Sequence, residues 1–209
     1  MPKDTILSHT STHQSLKRSD IPAIMQLQRN VLMALPMENR HFCKQRGFDA
    51  FARHLGANMP IFGIRHEFGL AAMVMLTDPA SKAASNMQGY PIKESERALV
   101  IQGLLVDPAS RGQRLSARML DAASGYAVNA GKVALLAKIA QSNRASMETF
   151  CRNGFEKVAT GVDPVYGHKV VFVGANARDV QSLFAAKRHL DHPSRSPLPS
   201  VVNRLTIGG

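Results

Sequence analysis

The run Val106-Asp107-Pro108-Ala109-Ser110-Arg111-Gly112-Gln113-Arg114-Leu115-Ser116 carries residue types suited to holding a phosphate ester. It follows an apolar run and precedes apolar residues at helical spacing, so it reads as a turn at a helix start. There the first backbone N–H groups lack intrahelical partners, and the helix dipole favours negative charge. Arg111 and Arg114 would add charge-assisted hydrogen bonds to a pyrophosphate. Taken alone, the run is equally an ordinary strand-to-helix connection with solvated arginines. Further on, Asn143 precedes a short helix and suits an N-cap. The two cysteines, Cys43 and Cys151, have no metal-ligand spacing and are too few for a disulfide framework. Cys151 has a thiol that could act chemically, although a small buried residue is the commoner role. Tyr126, Tyr166 and His168 are titratable or polar groups with no spacing that pairs them.

The elements that must position these residues can be read from periodicity. Ser19 and Asp20 precede Ile21-Pro22, and apolar residues recur at Ile24, Leu27, Val31 and Leu35, which predicts a capped amphipathic helix. A weaker helical stretch covers Phe42 to Leu55, interrupted at Gly47 and closed at Gly56. Ile61 to Arg65 and Leu70 to Leu76 read as strands of a hairpin turning at Glu67-Phe68-Gly69. Asp78 to Arg97, rich in Ser, Asn, Gly, Pro and Lys, reads as a long surface loop. Leu99 to Val106 is an apolar strand, and Leu115, Met119, Ala123, Tyr126 and Ala130 mark a helix ending at Gly131. Val133 to Ile139 follows as a strand, Asn143 to Arg152 as a short helix, and two more strands begin at Phe155 and Lys169. After Gly174 comes one amphipathic helix with Val180, Leu183, Phe184 and Leu190 on a face.

A chain of 209 residues suits one domain with some decoration. Its net charge of +11 favours anionic partners, among them coenzyme A, nucleic acid and acidic protein surfaces. Aromatic residues make up 6% with no Trp, and there is no long Lys/Arg block, so the charge supports a nucleic-acid role only weakly. No apolar run approaches the ~20 residues needed to cross a bilayer. The polar start of the chain lacks a secretory apolar core, which predicts a cytoplasmic protein.

Val106-Asp107-Pro-x-x-Arg-Gly-Gln, then Asn143, then Phe150-Cys151-Arg152-Asn153-Gly154-Phe155, resembles the GCN5-related N-acetyltransferase (GNAT) superfamily. The resemblance covers Ser15 to Val173 and implies a β-α-α-β-β-β-α-β-α-β-β order. The expected fold is α/β (α+β), a mixed sheet of about six to seven strands flanked by about four helices, plus a C-terminal helix. Together with the change of pattern after Gly174 and the Pro, Ser and Arg residues from His192 on, it suggests a flexible N-terminus (1–14), the acyltransferase domain (15–174), the amphipathic helix (175–191) and a flexible basic tail (192–209). Acetyl-coenzyme A is the implied co-substrate, with no metal.

Residue by residue, the resemblance implies that the backbone of Leu104, Leu105 and Val106 pairs with the pantetheine arm. The amides of Arg111, Gly112, Gln113, Arg114, Leu115 and Ser116 would hold the pyrophosphate. Asn143 would hydrogen-bond the pantetheine and Phe150 would flank the thiol. Two departures stand out. Arg114 occupies a position where the family places glycine, so its Cβ would obstruct phosphate or its guanidinium would clamp it. Phe150 stands where many members place a tyrosine that protonates the departing thiolate, which Phe cannot do. The acceptor amine must lose a proton, and Glu94 and Glu96 are candidate bases, although solvated loop carboxylates are the commoner case.

These implications point to an acyl-coenzyme A-dependent N-acyltransferase acting on a primary amine in a ternary complex. The alternative is a catalytically degenerate relative that binds coenzyme A as a regulatory module. The acceptor class stays open among small amines, peptide N-termini, lysines and aminoacyl-RNA. A homodimer through the C-terminal helix and a nucleic-acid contact are further expectations; a membrane partner is not.

Overall fold

A seven-stranded mixed sheet runs through the computed structural model of the chain, which describes residues 12–79, 97–164 and 166–191. Its elements are β1 (Gln14–Ser15), α1 (Ile21–Ala34), α2 (Phe48–Gly56), β2 (Ile61–His66), β3 (Gly69–Thr77) and β4 (Ala98–Val106). They continue as α3 (Leu115–Asn129), β5 (Ala134–Ala140), α4 (Arg144–Arg152), β6 (Glu156–Val162), β7 (Lys169–Asn176) and α5 (Ala177–Asp191). The strand order is β1-β2-β3-β4-β5-β7-β6, antiparallel except where β4 meets β5 in parallel. No helix among the described residues is long and apolar enough to cross a membrane.

Both faces of the sheet are covered, which explains why β3 is apolar almost throughout. Met73 and Met75 join Ile21, Ile24 and Leu27 of α1 and Phe51 of α2 on one face. Ala72, Val74 and Leu76, at the alternate positions, join Met119, Leu120 and Ala123 of α3 on the other. α5 packs on α3 within the same chain: Val180 and Phe184 enter this second core, and Arg188 pairs with Asp121.

Two local expectations are corrected. Asp20 stands at the start of α1 but makes no side-chain cap. Its carboxylate instead accepts the Lys17 N–H (2.7 Å) and a long-range hydrogen bond from Arg65 (2.5 Å). The stretch from Phe42 to Leu55, expected to be interrupted at Gly47, is α-helical only beyond that break. Residues Met37–Phe42 form a 3-10 turn, and helix resumes only at Phe48. Residues 43–47 are held off helical geometry by a clamp, in which Gln28 accepts the Arg46 N–H (3.0 Å) and donates to the Arg46 carbonyl (2.9 Å).

Candidate active site

The site begins with a break in the sheet. β4 and β5 pair only from Ala98 opposite Ala134 to Ile101 opposite Ala137, yet β4 runs on to Val106 and β5 to Ala140. On the other edge of β4, Ile101 faces Leu76 and Gly103 faces Met75, leaving Gln102 as an extra residue with no opposite on β3. Such a bulge bends the strand and increases its twist. It falls where the pairing with β5 stops. Burial changes at the same point, from fully buried at Ala98 to Ile101 to half-buried at Gln102 to Val106. The Asp107 N–H donates to the Ala71 carbonyl of β3 (2.8 Å). Because backbone groups alternate sides along a strand, those of Val106 and Leu104 face the gap that β5 leaves. A groove of about 660 Å³ fills that gap.

One end of the groove is the turn between β4 and α3. Asp107 is buried and ties the turn down: its carboxylate accepts from the Ala109 N–H (2.9 Å) and from Nδ2 of Asn30 on α1 (2.7 Å). The chain then passes through two left-handed positions, Gly112 (φ 82°) and Arg114 (φ 55°, ψ 21°), before α3 starts at Leu115. Arg111, Gly112, Arg114, Leu115 and Ser116 line the groove, as do Leu104, Leu105, Val106, Asn143 and Phe150. Gln113 is the one member of the expected coenzyme A set that does not. Asn143 caps α4, its Oδ1 accepting the Ser146 N–H (3.1 Å). Phe150 packs edge-on against Phe155 (4.9 Å between centroids), one flank in the core and one on the groove.

The other end is cationic. Lys44 and Arg46, from the segment before α2, and Lys138 of β5 line the groove there with Cys43 and Gln102. The Arg46 guanidinium donates to the Gln102 carbonyl (3.3 Å), so it sits across the bulge. Lys138 is paired to the buried Asp163 carboxylate (2.6 Å). Desolvation, with Arg46 and Lys138 adding to it, lowers the Lys44 ammonium below its ordinary pKa, against an opposing pull from Asp163. Burial raises the Cys43 thiol, with Arg46 opposing. Nearby, the His41 and His168 rings lie 4.8 Å apart and Tyr166 stacks on His168 (5.9 Å). Burial lowers the His168 pKa first, with His41 adding to it.

Several expectations fare differently. Glu94 and Glu96 lie outside the described residues. Cys151 is exposed on α4 and does not line the groove, so the buried role expected for it belongs to Cys43. Tyr126 packs on Phe62 (5.6 Å) away from the groove. Lys44, Arg46 and Lys138 were not singled out by sequence. The signal that was available is the Gly47 break, which marks residues just before it as a loop rather than a helix face.

A parallel pair of strands parted at a bulge, with an anion-ready helix start beside the gap, is an architecture for an extended phosphorylated ligand. The chain belongs to the Acetyltransferase (GNAT) family, whose sequence model matches residues 35–155. No curated protein sequence matches it. Solved structures do so through the fold. An N-acetyltransferase from Staphylococcus aureus Mu50 is 18% identical, with a TM-score of 0.61 over 79% of this chain and 98% of that one. The ribosomal-protein-S18-alanine N-acetyltransferase from Escherichia coli is 16% identical, with a TM-score of 0.58 over 79% of this chain and 93% of that one. The protein yncA from Salmonella typhimurium, solved with acetyl-CoA as its cofactor, is 16% identical with a TM-score of 0.57, over 79% of this chain and 93% of its own.

Proposed function

We propose that this chain transfers an acyl group, acetyl in the first instance, from acyl-coenzyme A to a primary amine by direct attack within a ternary complex. The observation that carries the reading is the gap between β4 and β5, closed at one end by the Asp107-anchored turn and open at the other to a polar pocket. The fit to acetyl-coenzyme A rests on the chain's own groups. The backbone of Leu104 and Val106 is free of β5 and suits an amide-bearing arm, while the amides of Arg111 to Ser116 and two guanidinium groups suit a pyrophosphate. Asn143 keeps Nδ2 for a ligand while Oδ1 caps α4. When bound, acetyl-coenzyme A supplies the activated thioester.

Direct attack is favoured over a covalent relay by the cysteines. The thiolate is the nucleophilic form, and burial pushes the one groove-lining thiol, Cys43, toward the neutral form. Cys151 lies off the groove. Among the described residues no carboxylate lines the groove, so Glu94 and Glu96 stay as the proposed bases.

Isothermal titration of the full chain with acetyl-coenzyme A is the test, and an absence of binding at millimolar ligand would remove the reading. A second reading, a relative that binds coenzyme A without catalysis, is favoured by Phe150, which brings no hydroxyl to the groove. Binding without thiol release across a broad amine panel would select it.

A further inference from the structure

Resting on that acyltransferase reading, we infer that the acceptor is a small amine that also carries an anion, a carboxylate or a phosphonate, held at the acceptor end by Lys44, Arg46 and Lys138. Two separate parts of the chain deliver these three cations to one end of the groove: the loop before α2 carries Lys44 and Arg46, and β5 carries Lys138. Lys138 has the Asp163 carboxylate at 2.6 Å, and the Arg46 guanidinium lies against the Gln102 carbonyl at 3.3 Å. Lys44 makes no salt bridge among the described residues. Desolvation lowers the Lys44 pKa first, and Arg46 and Lys138 add to it, which places the three cations within electrostatic reach of one another.

A second cavity of about 400 Å³ opens beside the first and shares Cys43 and Lys44 with it. Arg29, Arg40, His41, Gln45 and Tyr166 complete its polar lining. Among the described residues neither cavity is lined by a carboxylate. The smaller volume is within the range of sites that take small molecules. The described lining is predominantly positive, and such a site repels cationic acceptors and concentrates anionic ones. A polyamine or a lysine-rich peptide is therefore a poor fit, whereas an amine bearing an anion offsets the repulsion of its own ammonium. The same field then favours loss of the ammonium proton once the acceptor is seated, because nearby positive charge disfavours the charged form of an amine. The neutral amine attacks the thioester carbonyl, the carbon–sulfur bond breaks, and the surplus proton on nitrogen passes through solvent to the departing thiolate, leaving an amide and a free thiol.

The experiment follows thiol release from acetyl-coenzyme A by the intact chain. The acceptors are α-amino acids, each beside its carboxamide and its decarboxylated amine, with aminoalkylphosphonates as a separate arm. The expected result is a kcat/KM at least about tenfold higher for the anion-bearing member of each trio, carried mainly by KM. Lys44→Gln, at an exposed position, should cut that preference severalfold by raising KM for the anionic acceptor. Activity in the phosphonate arm alone identifies a phosphonate rather than a carboxylate as the anion and supports the inference equally. If no acceptor releases thiol, binding of each N-acetyl amino acid and its carboxamide to the coenzyme A-loaded chain is titrated instead, with the same preference expected. Equal or better use of neutral or dicationic amines overturns the inference while leaving the acyltransferase reading intact. A parallel titration that detects no acetyl-coenzyme A binding overturns both.

Discussion

Arg114 allows strain and ligand binding to be separated by one pair of variants. Its backbone sits at φ 55°, ψ 21°, immediately before α3, where a residue with a Cβ is disfavoured by roughly 1–2 kcal/mol relative to the right-handed region. Arg114→Ala removes the guanidinium and keeps the Cβ, whereas Arg114→Gly removes both. Whatever the side chain contacts is lost in each, so their difference isolates the backbone. The Gly variant should be more stable than the Ala variant by about 1 kcal/mol, or ~2–4 °C in Tm for a chain of this size. Acetyl-coenzyme A affinity is read on the same two proteins. A charged hydrogen bond to phosphate contributes about 1.5–3 kcal/mol, so loss of the guanidinium should weaken Kd about 10- to 100-fold in both variants. If instead the Cβ keeps phosphate from the turn, only the Gly variant binds more tightly than the parent. Thermal melts and isothermal titration provide the two measurements. An Ala variant as stable as the Gly variant would refute the left-handed strain argument. Unchanged affinity in both Arg111→Ala and Arg114→Ala would show that the pyrophosphate is not held at this turn.

Removing the Asp107 carboxylate in Asp107→Ala strips the acceptor from both Asn30 Nδ2 and the Ala109 N–H at a buried position. The expected loss is about 3 kcal/mol by urea denaturation, with weakened acetyl-coenzyme A binding. Asp107→Asn should cost less, because the Asn30 amide can turn its oxygen to it at the expense only of the exposed hydrogen bond that this oxygen accepts from Gln26. A stability change within 0.5 kcal/mol, roughly that of an ordinary surface substitution, would contradict the anchoring role. His54 predicts a pH dependence. Burial, with Arg46 second, lowers its pKa from 6.5 to about 4, while backbone hydrogen bonding at Pro60 and Leu76 opposes the shift. A depressed folded value means the contribution is present above pH 6.5 and is lost as pH falls toward 4, because the unfolded chain takes up the proton first. The loss attributable to this group should reach about 2 kcal/mol at pH 5. Denaturation of the parent and His54→Gln at pH 7 and pH 5 measures it, and equal pH slopes in the two would exclude the assignment.

The legible parts of this protein are those governed by neighbours in sequence. The 3.6-residue spacing of Ile21, Ile24, Leu27 and Val31 marks α1, because a helix buries one stripe whatever it packs against. The apolar run before Asp107 and the small and basic residues after it mark a strand, a turn and a helix start. Element order then follows along the chain, and with it the family resemblance. Asp20 shows where local reading fails: a residue of the right type for a cap is drawn off by Arg65, which no sequence spacing places beside it.

The groove itself depends on register. Gln102 is a bulge only because Ile101 and Gly103 face consecutive residues of β3, and the gap exists only because β5 stops pairing at Ala137. Likewise Lys44, Arg46 and Lys138 are unremarkable surface cations in sequence, brought together by the Gln28 clamp on one loop and by the β5 position next to β4. Local propensity and spacing therefore settle which segments are helix, strand and phosphate-type turn. Where the sheet opens and which charges meet at the far end of the groove come from strand pairing and packing between segments far apart in the chain, whose energies no local pattern encodes.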